Sequence, residues 1–282
     1  MIVRAFFTPG DTYEKQFFFM EWYPALPAHV YIVWRRFLSM ARLYVSAHQD
    51  DDLIFMSPCL MEDLASGVGV WTVYVTAGDA GLDEDYWRGR EEGERAAYSA
   101  MGASGWRNEA LHVDGRKIAS SASADGKVRL VFLRLPDGGR LSKEETPSKA
   151  LERMWDGGEV ETIDASNHYT QEGLIKALLE VIRLAGADAV STHDPEGWLA
   201  GCDHIDHLYT GLFAVEAASR AGTGLTLFRG YSCDLKPPNL PDVTYHRKRA
   251  VFEAYVQHDP MIPNPLDPLY EGWLKRSYLR VS

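Results

Sequence analysis

Two short stretches of the 282-residue chain crowd imidazole and carboxylate groups into turns. In the first, LYVSAHQDDDLIFMSP over residues 43–58, the apolar run Leu43-Tyr44-Val45 breaks into His48-Gln49-Asp50-Asp51-Asp52. Apolar residues then resume at helical spacing (Leu53, Ile54, Met56, Leu60, Met61). In the second, over residues 188–209, Ala189-Val190 run into His193-Asp194-Pro195-Glu196-Gly197, and a glycine-containing loop leads on to His204-Ile205-Asp206-His207. Adjacent carboxylates repel, so folding alone gives little reason to gather them. A divalent cation relieves that repulsion, and His with Asp is an ordinary nitrogen-plus-oxygen ligand set for zinc. Taken alone, the first stretch also reads as a solvated acidic turn capping a helix. The second stretch shifts the balance: His204 and His207 are three apart and share one face of a helical turn. Four of the nine histidines fall in these two junctions, so coincidence is the weaker explanation.

Both clusters follow an apolar run and precede a helical pattern. They therefore sit at strand-to-helix junctions, where open α/β sheets bind ligands beyond the carboxyl ends of their strands. The periodicity predicts a strand at 43–45, a helix over 53–66 ending at Gly67, a strand at 70–75 and a helix over 85–101. Residues 103–127 are small, polar and turn-rich and read as an inserted loop or hairpin before a strand at 128–133. A turn at 136–139 and a charged surface helix over 142–156 follow. A helix over 170–184 feeds the 189–190 strand, the helix after His207 runs to about 220, a last strand lies at 225–228 and a last helix at 246–257. This alternation predicts an α/β fold, Rossmann-like, with three α/β/α layers around a mostly parallel sheet. Residues 1–40 read as an aromatic extension, 41–260 as the core domain and 261–282 as a proline-rich tail wrapped on the surface.

The paired motifs resemble those of the LmbE/PIG-L superfamily of zinc-dependent N-deacetylases, a strand ending in Ala-His-Pro-Asp-Asp-Glu and a downstream His-Pro-Asp-His. Here they stand as Ala47-His48-Gln49-Asp50-Asp51-Asp52 and His204-Ile205-Asp206-His207, with departures at Gln49, Asp52 and Ile205. The resemblance implies His48, Asp51 and His207 as metal ligands, Asp50 as the general base and His204 as a donor to the oxyanion of a tetrahedral intermediate. It implies zinc, with iron(II) the alternative, and an N-acylated amino-sugar or glycoside as substrate. Arg90 matches an arginine that faces the sugar pocket in relatives, against the plainer reading of a solvated helix face. Asp79 reads as a substrate contact or an Asx-turn. His193 is a substrate or supporting candidate, and Asp194 and Asp206 are acceptors that could orient a histidine. Asp52 shortens a side chain that helps orient the ligands in relatives.

Composition narrows the partners. A formal net charge of −11 disfavours a nucleic-acid backbone and anionic membranes. Three cysteines (Cys59, Cys202, Cys233) without C-x-x-C spacing indicate neither a disulfide framework nor a thiolate zinc site. Cys202 is then a small buried thiol. No long uncharged apolar run exists, so the expectation is a cytoplasmic protein without an integral membrane segment. The aromatic residues of 1–40 (Phe6, Phe7, Phe17, Phe18, Phe19, Trp22) suit packing on the domain or a contact between copies in a homo-oligomer, and with the 103–127 insertion are expected to shape the pocket. Two other functions share this pattern. A non-haem iron oxygenase uses two histidines and one carboxylate, commonly on an all-β barrel. A non-catalytic sugar-binding relative would keep the fold without the reaction.

Overall fold

The computed structural model describes residues 41–138, 148–201 and 203–281. The expectations for the aromatic extension, for the first part of the charged helix and for Cys202 lie outside them. Strand β1 (Ala41–Ser46) pairs in parallel with β2 (Gly69–Thr76) on one side and with β8 (Ala187–His193) on the other. β2 continues in parallel to β5 (Val128–Leu135), and β8 to β9 (Gly224–Phe228). The chain thus builds the sheet outward in two directions from β1, and the carboxyl ends of β1 and β8 flank the point where the order reverses. Such a reversal opens a crevice that side chains from both strand ends can fill.

Antiparallel strands close both edges. β3 (Arg107–Val113) and β4 (Arg116–Ala122) form a hairpin whose turn, Asp114-Gly115, has both φ angles positive, at 47° and 74°. That geometry suits a right-twisted two-residue hairpin. β4 pairs with β5, so the 103–127 insertion extends the main sheet and its nearer strand, β4, is three strands away from β1. The insertion, expected to shape the pocket, is thus placed at the sheet edge. At the opposite edge β10 (Leu279–Val281) pairs with β9. A separate hairpin joins β6 (Glu159–Glu161) to β7 (His168–Thr170).

Strand side chains alternate between two cores, as a sheet covered on both faces requires. Leu43, Val45, Val73, Val75, Val131 and Leu133 pack under α3 (Ala150–Trp155), α4 (Gln171–Ala185) and α5 (Ile205–Ala221). Tyr44, Tyr74, Leu130 and Phe132 belong to the other core, with α2 (Glu84–Ala100), α6 (Asp242–Val256) and α7 (Pro268–Leu274). The Rossmann-like three-layer α/β/α arrangement is therefore the one observed.

Three elements differ from their sequence pattern. The helix expected over 53–66 is broken: a π-helical turn covers Asp52–Met56, with the Ser57 N–H donating to Asp52 O at 3.0 Å, and α1 (Cys59–Ser66) starts afresh. Pro58 has no N–H and disfavours helical backbone at Ser57, which is extended (φ −80°, ψ 141°). α1 ends at Gly67 as expected, in the left-handed region at φ 79°. The described part of the charged helix, α3, buries Ala150, Leu151 and Met154, so it is a core element as well as a surface one. Residues 261–281 are not only a surface wrap, since Ile262, Trp273 and Leu274 are buried and α7 and β10 complete the layers. Proline spacing hid this, because Pro268 sits at the start of α7, where a missing N–H costs nothing.

Candidate functional site

Four strand ends converge on one buried cluster. β1 delivers His48–Asp51, β2 delivers Asp79, β5 delivers Asp137 and Gly138, and β8 leads to His193 and the 203–207 segment. The loop after β1 is held in an unusual conformation: Asp50 has φ 102°, costly for a residue with a Cβ. Its neighbours fix it there. The Asp50 N–H donates to Glu94 Oε1 at 2.8 Å, and Gln49 O accepts from Arg90 and from Tyr255 Oη, the latter at 3.3 Å. The result is divergence: Asp51 turns inward, whereas Asp50 pairs with the Arg90 guanidinium at 3.0 Å and leaves 13% of its side chain exposed.

Asp51 stands between two imidazoles. His48 Nδ1 lies 3.0 Å from Asp51 Oδ2, and His207 Nε2 lies 3.1 Å from Asp51 Oδ1. One atom from each of His48, Asp51 and His207 falls within 4.8 Å of the others, a spacing that could hold a metal ion. Burial disfavours charge on both rings, but the surrounding carboxylates outweigh it. His48 is raised well above its ordinary pKa by Asp51 and Asp206, and His207 is raised to about 9 by Asp51 and Asp203. Burial likewise opposes ionisation of Asp51, yet the two histidines carry it well below the carboxylate range. Two ring protons thus occupy positions facing one anion.

A second group, His48, Asp137, His204 and Asp206, lies equally close together. Hydrogen bonding separates the two. The Asp206 N–H donates to His204 Nδ1 at 3.2 Å, so in the neutral ring the hydrogen sits on Nε2. Burial, then the nearby His48, lowers His204 to about 4, which keeps that ring neutral at pH 7. His204 therefore offers an N–H donor, not a lone pair, on the side where its Nε2 lies 3.9 Å from Asp137 Oδ1. His48 Nε2 faces Asp206 Oδ2 at 3.2 Å, and the same carboxylate oxygen accepts the Gly138 N–H at 2.8 Å. Asp206 is thus the acceptor that orients His48. The first group presents lone pairs once its protons leave; the second presents donors and their acceptors.

Burial, which the sequence pattern did not reveal, revises other expectations. Arg90, expected at the substrate pocket, is buried: its donors go to Gln49 O, Gly78 O at 2.7 Å and Tyr255 Oη at 2.6 Å, and it pairs with Asp50 and with Asp259 at 3.1 Å. His193 has a side chain only 1% exposed; its Nε2 accepts the Ala47 N–H at 3.1 Å and its ring stacks on His207 at 4.1 Å. Asp79 forms the Asx-turn with the Gly81 N–H at 3.0 Å, and its other oxygen accepts the Asp137 N–H at 2.8 Å. Asp52 points away from the histidines and accepts from Tyr98 Oη at 2.8 Å and Tyr74 Oη at 3.1 Å. Burial, against those two hydrogen bonds, lifts it to about 7. Asp194 accepts a forked pair from Arg280 at 2.9 and 3.2 Å instead of orienting a histidine. Three further carboxylates of this cluster were not singled out in the sequence: Glu94, Asp137 and Asp203. Asp137 follows β5, and Asp203 precedes His207 by one helical turn, which were signals available in the spacing.

Residues 43–218 match the family model described as PIG-L: GlcNAc-PI de-N-acetylase. The chain belongs to the PIG-L family. A search of curated proteins returns no match. Among solved structures, this PIG-L chain is similar to N,N'-diacetylchitobiose deacetylase from Pyrococcus horikoshii, with 18% identity, 90% of this chain and 83% of that one covered, and a TM-score of 0.47. A deacetylase of teicoplanin biosynthesis in complex with teicoplanin has 16% identity, coverage of 79% and 88%, and a TM-score of 0.49. The 4-carboxy-2-hydroxymuconate hydratase from Pseudomonas putida has 15% identity, coverage of 77% and 83%, and a TM-score of 0.41.

Proposed function

We propose that this PIG-L chain is a metal-dependent N-deacetylase that removes an acyl group, acetyl in the simplest case, from the amine of an amino-sugar conjugate. The observation that carries the reading is the meeting of His48, Asp51 and His207 from two strand ends, beside an Asp50 carboxylate kept out of that set. The family's description as a GlcNAc-conjugate de-N-acetylase supports the amino-sugar part. A sheet of parallel strands is also not the all-β frame on which the oxygenase alternative commonly sits.

The donor set fits a divalent ion. His48 Nδ1 and His207 Nε2 both face Asp51, so two ring nitrogens and a carboxylate converge on one point. Zinc or iron(II) would be held by these three residues and supplies Lewis acidity to water and to a carbonyl oxygen. Asp50 takes the proton of the attacking water and returns it to the leaving amine. Burial lifts its pKa to about 8 against the pull of Arg90, so it holds a proton far more readily than an ordinary carboxylate does. His204, neutral and bearing its hydrogen on Nε2, donates to the tetrahedral oxyanion. Asp206 holds His48 by its other nitrogen, and so fixes the ring that His48 turns toward Asp51.

The test is to strip the protein with a chelator, restore zinc or iron(II), and follow amine release across N-acetylated glycosides. Activity should vanish on stripping and return with one ion per chain. Asp50→Asn should keep the ion and lose roughly 10²–10⁴-fold in rate. Undiminished amine release by Asp50→Asn, or by stripped protein, refutes the reading.

A further inference from the structure

Asp203 is a buried carboxylate of the second junction with three donors on one oxygen. Its side chain is 2% exposed, and Oδ1 lies 2.6 Å from His207 Nδ1. The same oxygen accepts the N–H groups of His204 at 2.9 Å and Tyr231 at 3.1 Å. A buried anion is tolerated only when such donors replace water. Burial would raise its pKa, but His207 and these bonds bring it below the ordinary value.

Space for this carboxylate is reserved by two separate loops. A Cβ on Gly230 would lie 2.5 Å from Asp203 Oδ1 and 2.4 Å from His207 Nδ1. A Cβ on Gly197 would lie 2.6 Å from Asp203 Oδ2. Real side chains do not approach so closely, so the short turns at Pro195–Ala200 and Tyr231–Leu235 each bring a bare backbone against the same group. Neither glycine has a positive φ, so close approach is what calls for glycine here.

We propose that Asp203 is a positioning residue: it pins the hydrogen of His207 on Nδ1, so that Nε2 presents its lone pair beside Asp51, and thereby sets how tightly the centre takes its divalent cation. This rests on the reading above that His207 holds a metal. With Nδ1–H bound to a carboxylate the ring cannot flip, and Nε2 becomes a stronger donor. His193, stacked on the ring at 4.1 Å, blocks the remaining rotation. Asp203 itself touches no reacting atom.

The experiment uses the full chain, stripped of metal, and titrates zinc against a chromogenic chelator and cobalt(II) by its visible absorption. Wild type, His207→Ala, Asp203→Ala, Asp203→Asn and Gly230→Ala are compared, with the melting temperature of each metal-free protein measured alongside. Asp203→Ala should weaken zinc binding about 10–100-fold and alter the cobalt bands. Asp203→Asn keeps an acceptor oxygen without the charge and should fall between it and wild type. Gly230→Ala keeps the charge, displaces the pair, and should weaken binding as well. Should Asp203→Ala fail to fold, the Asn and Gly230 variants decide. Wild-type zinc affinity and cobalt spectrum in the Asp203 variants overturn the proposal while leaving the functional reading intact. A wild-type chain that takes up neither ion overturns both.

Discussion

The backbone N–H of Asp50 is held by the Glu94 carboxylate at 2.8 Å, across an interval of 44 residues. This bond, with those to Gln49 O, keeps Asp50 at φ 102° and its side chain apart from Asp51. Glu94 Oε2 in turn accepts from Tyr74 Oη at 2.6 Å. Glu94→Ala should lower kcat about 10²-fold with little change in KM, since small misplacements of a reacting group cost that much. Glu94→Gln should lose far less, because its amide can still accept from Asp50 and donate to the Tyr74 oxygen. Equal losses in the two variants, from steady-state kinetics of amine release, would contradict this.

His204 has two separable jobs. Its Nδ1 caps α5 by accepting the Asp206 N–H, and its Nε2–H is the proposed donor to the oxyanion. His204→Asn retains a side-chain oxygen suited to the cap, so stability should hold while kcat falls about 10²–10³-fold. His204→Ala should lose the same activity and about 1 kcal/mol of stability besides. Chemical denaturation and initial rates on the same preparations check both.

Arg90 supplies a sharp contrast between clamp and substrate contact. It balances Asp50 and Asp259 in a buried setting, so its removal strands two carboxylates. Arg90→Met should destabilise the fold by roughly 3–5 kcal/mol, and Arg90→Lys should recover little, because an ammonium cannot reproduce the fork. A variant that melts like wild type and shows only a raised KM would restore the substrate-facing role.

Lys248 gives the molecule a pH dependence remote from the histidines. It is buried in α6, donates to Arg276 O at 2.8 Å and has the thiols of Cys59 and Cys233 as neighbours, both raised by burial. Burial lowers its pKa from 10.5 to about 7. Between those values the unfolded chain binds one more proton than the folded one, so this group makes stability rise with pH. Below pH 7 the penalty is fully present. Urea denaturation should show wild type gaining about 1.4 kcal/mol per pH unit relative to Lys248→Met between pH 7 and 9. Parallel curves for the two proteins would rule the mechanism out.

Layer order and the site's location were legible because they depend on local patterns. Apolar runs ending in His48 and His193 mark strand ends, and Gly67 and Gly222 mark helix ends. That the two junctions meet likewise follows from where two strands of one sheet must finish, whereas the choice of His48, Asp51 and His207 within them came from the family resemblance. What stayed hidden depends on burial. Arg90 and His193 have the composition of substrate contacts, yet tertiary packing closes over both. Asp52 belongs to the same acidic run as Asp50 and Asp51, and only its neighbours Tyr74 and Tyr98 show that it faces the other core. Asp203 stands in a loop whose meaning depends on two glycines, one of them 27 residues further along the chain.

β10 is three residues long, but Arg280 within it forks onto both oxygens of Asp194, immediately after His193. The fork thus ties β10 to the residue next to the ring that stacks on His207. Trimming that arginine to Met would release the Asp194 carboxylate while leaving the backbone pairing of β10 with β9 in place.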